Sequence, residues 1–317
     1  MNGVIMRKHI FVCSLNIRMT ISKITTLVNT FWLREQILCR GSSLTKRNLK
    51  VLDTSWMPEP EVDGYKQFYQ ESHIPTSLYF DLKKVSPPVP GSSIKFQIPS
   101  TNLFQEYVGN LGITNNTHVV AYDRFNTRPS FRTWFLFKLF GHDKVSVLNG
   151  GLRKWLTDGF HVTTEEPVVE KEQFKVMLRK HLLRDFEAIQ TNLQTAQEQL
   201  MDARGIKDYY VTDDGNSGGH IPGAKNIPFS SLFNEDGTVK AENELKKLFD
   251  EAGINLTKPL VSSCQTGMTA CGLIAAAHIL GKDDVALYNG SYHEWSARAD
   301  ASQIVKEKQG KEHVLNQ

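Results

Sequence analysis

Side chains able to do covalent chemistry concentrate in one stretch of this 317-residue chain, Val261-Ser262-Ser263-Cys264-Gln265-Thr266-Gly267-Met268-Thr269-Ala270-Cys271. Cys264 closes a strand-like run, Pro259-Leu260-Val261-Ser262-Ser263. A short loop with Gly267 follows, and an apolar helix is expected over 270–280, stopped by Gly281. At such a junction successive loop N–H groups converge on a point above the cysteine, and the helix N-terminus adds a partial positive charge. Both effects stabilise a thiolate and make the sulfur nucleophilic near neutral pH. The same cradle suits a persulfide or an anionic group on a substrate. A lone cysteine at a strand end is ordinarily a packing residue. Its place at this junction favours the nucleophile.

Two other cysteine chemistries fit poorly. A phosphatase cradle has an arginine six positions after its cysteine, and Ala270 stands there instead. Cys264 and Cys271 are seven apart, with no neighbouring Cys or His pair at zinc-ligand spacing. Seven positions are two helical turns, which puts Cys271 in the core, and a disulfide between the two would distort the helix start. No metal or organic cofactor is expected, because the thiolate itself carries the chemistry.

The elements that must hold this cysteine occur twice. His73-Ile74-Pro75 recurs as His220-Ile221-Pro222, and Asn149-Gly150-Gly151 with Trp155 recurs as Asn289-Gly290-Ser291 with Trp295, in the same order. Between these landmarks lies a strand-like run in each half, 117–122 and 259–263. Aligning the two runs puts Asp123 where Cys264 sits. A carboxylate cannot do thiolate chemistry, so the first half should be catalytically silent, with a structural or substrate-shaping role. Each half alternates short apolar runs (Leu49–Asp53, Gln199–Asp202, Val145–Leu148, Val285–Tyr288) with apolar helical segments such as Phe131–Phe140. That pattern predicts an α/β protein of two tandem domains, each a mostly parallel sheet flanked by helices. The polar stretch around 163–175 reads as the linker.

Composition narrows the classes. A net charge of +3 is too small to argue for a nucleic-acid partner. No apolar run approaches the ~18 residues of a membrane-spanning helix. Four cysteines (Cys13, Cys39, Cys264, Cys271) are far fewer than a secreted disulfide scaffold carries, which favours a reducing intracellular compartment. Residues 1–34 hold Arg7, Lys8, Arg18, Lys23 and Arg34 and no acid, as a mitochondrial transit peptide does. An extension without targeting meaning, on a cytoplasmic protein, is the alternative.

The tandem halves, the paired landmarks and the pattern Cys264-x-x-Gly267-x-Thr269-Ala270-Cys271 resemble the two-domain rhodanese family of thiosulfate and 3-mercaptopyruvate sulfurtransferases. The resemblance covers about residues 25–308. It implies an inactive rhodanese domain at 45–168 and a catalytic one at 190–308. A linker at 169–189 joins them, with an extension at 1–24 and a tail at 309–317. It further implies Cys264 on the floor of an interdomain cleft, passing a sulfane sulfur as a persulfide. The sulfur would come from a small anionic donor and go to a thiol, cyanide or thioredoxin-like acceptor.

Thiosulfate-type members carry basic residues beside the cysteine, whereas Gln265, Thr266, Gly267, Met268 and Thr269 are uncharged. The loop is more similar to the Cys-Gly-Ser-Gly-Val-Thr pattern of mercaptopyruvate enzymes, with Thr266 at the serine position. The relay attributed to those enzymes maps onto Cys264, Thr266, His73 and Asp63; a histidine anchoring a turn is the competing reading of His73. The loop residues, Arg204 and Lys207 are then the expected substrate contacts. The chain departs from the family's Asp-x-Arg-x-x-x-Arg in Asp202-Ala203-Arg204-Gly205-Ile206-Lys207-Asp208, where an acid replaces the second arginine. Lys207, one position away, lacks a guanidinium's bidentate fork. The departure also admits a degenerate rhodanese that binds sulfur or a partner with little turnover.

Overall fold

Val, Leu and Ala fill the short runs on both faces, and such runs form buried parallel strands rather than half-exposed ones. The structure, a computed structural model, describes residues 24–39, 48–57, 59, 61–125, 127–211 and 218–308. Among these residues ten strands form in chain order: β1 (Leu27–Val28), β2 (Leu49–Asp53), β3 (Ser77–Tyr79), β4 (His118–Tyr122), β5 (Val145–Leu148), β6 (Leu183–Arg184), β7 (Gln199–Asp202), β8 (Ala224–Asn226), β9 (Leu260–Ser263) and β10 (Ala286–Tyr288). They make two five-stranded sheets, β1-β5-β4-β2-β3 and β6-β10-β9-β7-β8. Every pairing between them is parallel. The two orders are the same order repeated, which is the duplication expressed as topology. The fold is α/β.

The helices are α1 (Thr30–Leu38), α2 (Leu82–Val85), α3 (Thr101–Asn110), α4 (Arg128–Leu139), α5 (Gly151–Thr157), α6 (Phe186–Thr195), α7 (Ile206–Tyr209), α8 (Glu242–Glu251), α9 (Ala270–Ile279) and α10 (Ser291–Arg298). Two boundaries drawn from the sequence need correction. β1 and α1 precede residue 45, yet Leu27 pairs with Val147 of β5 and completes the first sheet. β6 lies inside the stretch assigned to the linker, yet Leu183 pairs with Leu287 of β10. Two-residue strands are too short to show a period. The connection before β6 is also tied down: Glu172, Met177 and Arg179 donate their N–H groups to carbonyls of Gly109, Phe140 and Leu139.

The halves meet through α4 and α9. α4 is buried at most positions, including Phe131, Trp134, Phe135 and Phe137, and α9 is Ala-rich and buried from Ala270 to Ala277. Small residues on one helix leave room for aromatic side chains on the other. Trp134 sits edge-on to His278 with centroids 5.2 Å apart. A single hydrophobic cluster runs from Leu52 to Leu287 through both halves. The repeated asparagines cross the same boundary in opposite directions. Asn149 accepts from Val239 N–H, and Asn289 donates to the Phe96 carbonyl.

Candidate active site

β9 delivers Cys264 to the carboxyl end of the second sheet, where ligands bind in open parallel sheets. α10 holds the residue from behind. The Cys264 N–H donates to Ser291 Oγ at 3.1 Å, and the N–H groups of Tyr292 and His293 donate to the carbonyls of Cys264 and Gln265. Ser291 takes the left-handed φ of +55° that Gly151 takes in the first half, and its Oγ donates onward to the Tyr288 carbonyl. A serine in that conformation is strained. Its hydroxyl fixes the backbone of Cys264 in return.

Of the loop N–H groups expected to converge on the sulfur, that of Gly267 reaches Cys264 Sγ, at 3.1 Å. Gly267 turns at φ +83°, and a Cβ there would lie 2.8 Å from the Asn289 carbonyl oxygen, so glycine is required. Its own carbonyl accepts from Cys271 Sγ at 3.4 Å and from Arg132 Nη1 at 3.2 Å. Arg132 belongs to α4 of the first half and is fully buried. It also donates to Asn289 Oδ1 at 2.9 Å and to the Phe96 carbonyl at 3.2 Å. Cys271 packs in the core, and burial pushes its thiol up to about 12.

Cys264 opens into a cleft of about 480 Å³ between the halves. Gln265, Thr266, Met268 and Thr269 line one wall with it; Trp56, Met57, Phe96, Arg124, Phe125 and Arg128 line the other. The equivalent position in the first half shows what this junction binds. Asp123 Oδ1 accepts from the N–H groups of Phe125 (2.6 Å) and Thr127 (3.1 Å), and Oδ2 accepts from that of Ser130 (3.0 Å) and from its hydroxyl. The strand–loop–helix junction is thus an anion cradle, and in the first half a carboxylate fills it. Burial raises the Asp123 pKa, against the pull of these donors.

Four expected residues stand elsewhere. His73 is fully buried and stacked on Tyr69 at 4.0 Å. Its Nδ1 and Nε2 lie 2.8 and 3.0 Å from the carbonyls of Tyr69 and Glu165. His220 repeats the stack on Tyr209 at 3.8 Å, and both histidines exchange backbone hydrogen bonds with a later segment, at Thr163 and Val305. His-Ile-Pro is therefore a structural anchor in both halves, and the relay through His73 is not formed. Asp63 accepts from the N–H groups of Tyr65 and Lys66 in a separate recess. Arg204 is buried and gives its fork to Asp202 (2.6 Å), its remaining donors to the Gly219 and Asp208 carbonyls, and its face to Tyr292 at 3.8 Å. Lys207 and Asp208 lie exposed on α7, outside the cleft lining. Arg132, Arg124 and Arg128 were missed from sequence. A charged residue inside the apolar run 131–140 was the available signal for Arg132.

The Rhodanese-like domain family matches residues 42–158 and 185–298, two copies that each take in four of the five strands of one sheet, β2–β5 and β7–β10. The chain belongs to this rhodanese family. It is 40% identical over 280 residues to thiosulfate sulfurtransferase of Rattus norvegicus, covering 86% of this chain and 92% of that protein. It is 36% identical over 292 residues to 3-mercaptopyruvate sulfurtransferase of Mus musculus, covering 90% and 96%. The yeast mitochondrial complex I sub-stoichiometric sulfur transferase subunit superposes with a TM-score of 0.76 at 28% identity, covering 90% of this chain and all of that one. This rhodanese is a sulfurtransferase. Among the described residues no group of His, Cys, Asp and Glu is arranged to hold a metal, and no helix is long and apolar enough to cross a membrane.

Proposed function

We propose that this rhodanese moves a sulfane sulfur through a persulfide on Cys264. The observation that carries the reading is Cys264 on the cleft floor, its sulfur receiving the Gly267 N–H and its backbone pinned by Ser291. The Cys264 thiolate attacks the donor's transferable sulfur and a new S–S bond forms. With thiosulfate, the old S–S bond breaks and sulfite leaves with the electron pair. With 3-mercaptopyruvate, the C–S bond breaks and the enolate of pyruvate leaves, then takes a proton from water. An acceptor thiolate or cyanide attacks the outer sulfur, and Cys264 returns as thiolate. Thr266, Gln265, Met268 and Thr269 line the donor's path from the second domain. The uncharged loop favours 3-mercaptopyruvate, whose reacting end is less charged than thiosulfate.

Mass spectrometry of donor-treated protein tests the step. A gain of one sulfur on the Cys264 peptide, absent in Cys264→Ser, is expected. Sulfur on Cys271 instead, or turnover surviving in Cys264→Ser, would overturn it. A persulfide that forms but never discharges would favour the sulfur-binding scaffold.

The acid-free N-terminus and the mitochondrial relative at 28% identity support a mitochondrial location over a cytoplasmic one. Residues 1–23 lie outside the described structure. Sequencing the mature N-terminus tests the location: an intact Met1 on cytosolic protein ends it.

A further inference from the structure

A sulfur donor of either kind is an anion, and the loop around Cys264 offers it no charge. Gln265 to Thr269 are neutral, and Arg204 is committed to Asp202, Gly219 and Asp208. Among the described residues the charged side chains lining the cleft are Arg124 and Arg128, both from the first domain, with no Asp or Glu beside them. Arg124 is half-buried and steadied through Nη2 by Ser72 Oγ (3.0 Å) and the carbonyls of Phe68 (2.8 Å) and Ser72. Arg128 is exposed, with its guanidinium 5.8 Å from the Phe229 ring centroid. Two buried donors on this wall, Arg124 Nε and Trp56 Nε1, have no partner among the described residues. Orphaned donors in a lined cleft are what an anionic ligand would satisfy.

We propose that Arg124 and Arg128 recognise the donor's anionic group, so that the silent first domain supplies the positive charge its catalytic partner lacks. The inference rests on the sulfur-transfer reading above. Arg124, its guanidinium fork anchored through Nη2, brings its charge and its unpartnered Nε to the cleft wall. Arg128, at the mouth, draws the anion in from solvent and pairs with it.

Arg128→Gln and Arg128→Glu test this, since an exposed position tolerates both. Loading of the Cys264 persulfide and its discharge to 2-mercaptoethanol, an uncharged thiol, are followed separately for thiosulfate and 3-mercaptopyruvate. Loss of a charge-assisted contact should lower the loading kcat/KM about tenfold in Arg128→Gln, and about a hundredfold in Arg128→Glu, mainly through KM. Discharge should fall far less. Loading by the parent protein should weaken as salt rises, and that slope should flatten in Arg128→Gln. Arg124→Lys keeps the charge without the fork and should lose part of the loading rate. Protein that loads normally in both Arg128 variants, with an unchanged salt slope, overturns the proposal alone. Parent protein that takes no sulfur onto Cys264 overturns the sulfur-transfer reading and this one with it.

Discussion

Arg132 Nη1 of the first half lies 3.2 Å from the Gly267 carbonyl of the second, so a buried guanidinium in one domain braces the cysteine loop of the other. With Asn289 Oδ1 and the Phe96 carbonyl it joins three segments that the chain keeps far apart. A buried charge is tolerated only where such partners surround it, and removing one side strands the others.

Arg132→Met should therefore destabilise the protein by about 3–5 kcal/mol and slow persulfide loading beyond what stability explains. Arg132→Lys should fall between, because an ammonium cannot reach all three acceptors. Urea unfolding beside loading kinetics measures both. An Arg132→Met protein of unchanged stability would show that the brace is idle.

Ser291 makes a finer test. Ser291→Gly relieves the left-handed backbone while removing the hydroxyl that holds the Cys264 N–H; Ser291→Ala removes the hydroxyl and keeps the strain. Stability should fall by about 1–2 kcal/mol in Ser291→Ala and stay nearer the parent in Ser291→Gly. Both should load more slowly. Equal stability of the two variants would remove strain from the account.

The cysteines should differ in reactivity. A thiol pushed up to about 12 by burial holds almost no thiolate at neutral pH, so Cys271 should resist iodoacetamide in the folded protein while Cys264 reacts. Peptide mapping after a timed exposure reads this directly. Modification of Cys271 at a rate matching Cys264 would contradict its place in the core.

Asp53 and Asp202 end equivalent strands; Asp202 is ion-paired with Arg204, whereas among the described residues no arginine is paired with Asp53. Asp53 is buried, with Oδ2 unpartnered, and burial raises its pKa above 3.8. The folded chain therefore holds the Asp53 proton more tightly than the unfolded chain, and Asp53 costs stability as pH rises from the unfolded value through the raised one. Asp53→Asn should stabilise the protein at neutral pH and lose that advantage in acid. Urea midpoints at the two conditions decide it; an advantage that grows in acid would reverse the sign.

Arg204→Ala leaves Asp202 as an uncompensated buried carboxylate and should cost about 3–5 kcal/mol. Lys207→Ala and Asp208→Arg, on the exposed face of α7, should leave donor KM at parental values. A donor KM that moves with Asp208→Arg while stability holds would return the anion site to α7.

The duplication and the place of Cys264 at the mouth of the second sheet were legible in the sequence, because the signals are local: runs of apolar residues, repeated triplets, one cysteine at a strand end. β1 and β6 were not, since two residues carry no pattern. His73 drew a catalytic assignment although His220 repeats its surroundings in the other half; a feature present in both copies serves the fold both copies share. The arginines of the first half were invisible for the opposite reason. Their meaning lies in contacts across a long stretch of chain, such as Arg132 to Gly267, which no spacing rule encodes.

The pairing of α4 with α9 also fixes what can be done with this molecule. α9 is buried at eight consecutive positions, with no polar face to turn outward. Cut free of the first half, the second would turn the face of α9 that packs on α4 toward water, an apolar surface that invites self-association. A one-domain version of this chain would call for polar residues on that face of the helix. What began as two copies of one unit has become a single object that no longer divides.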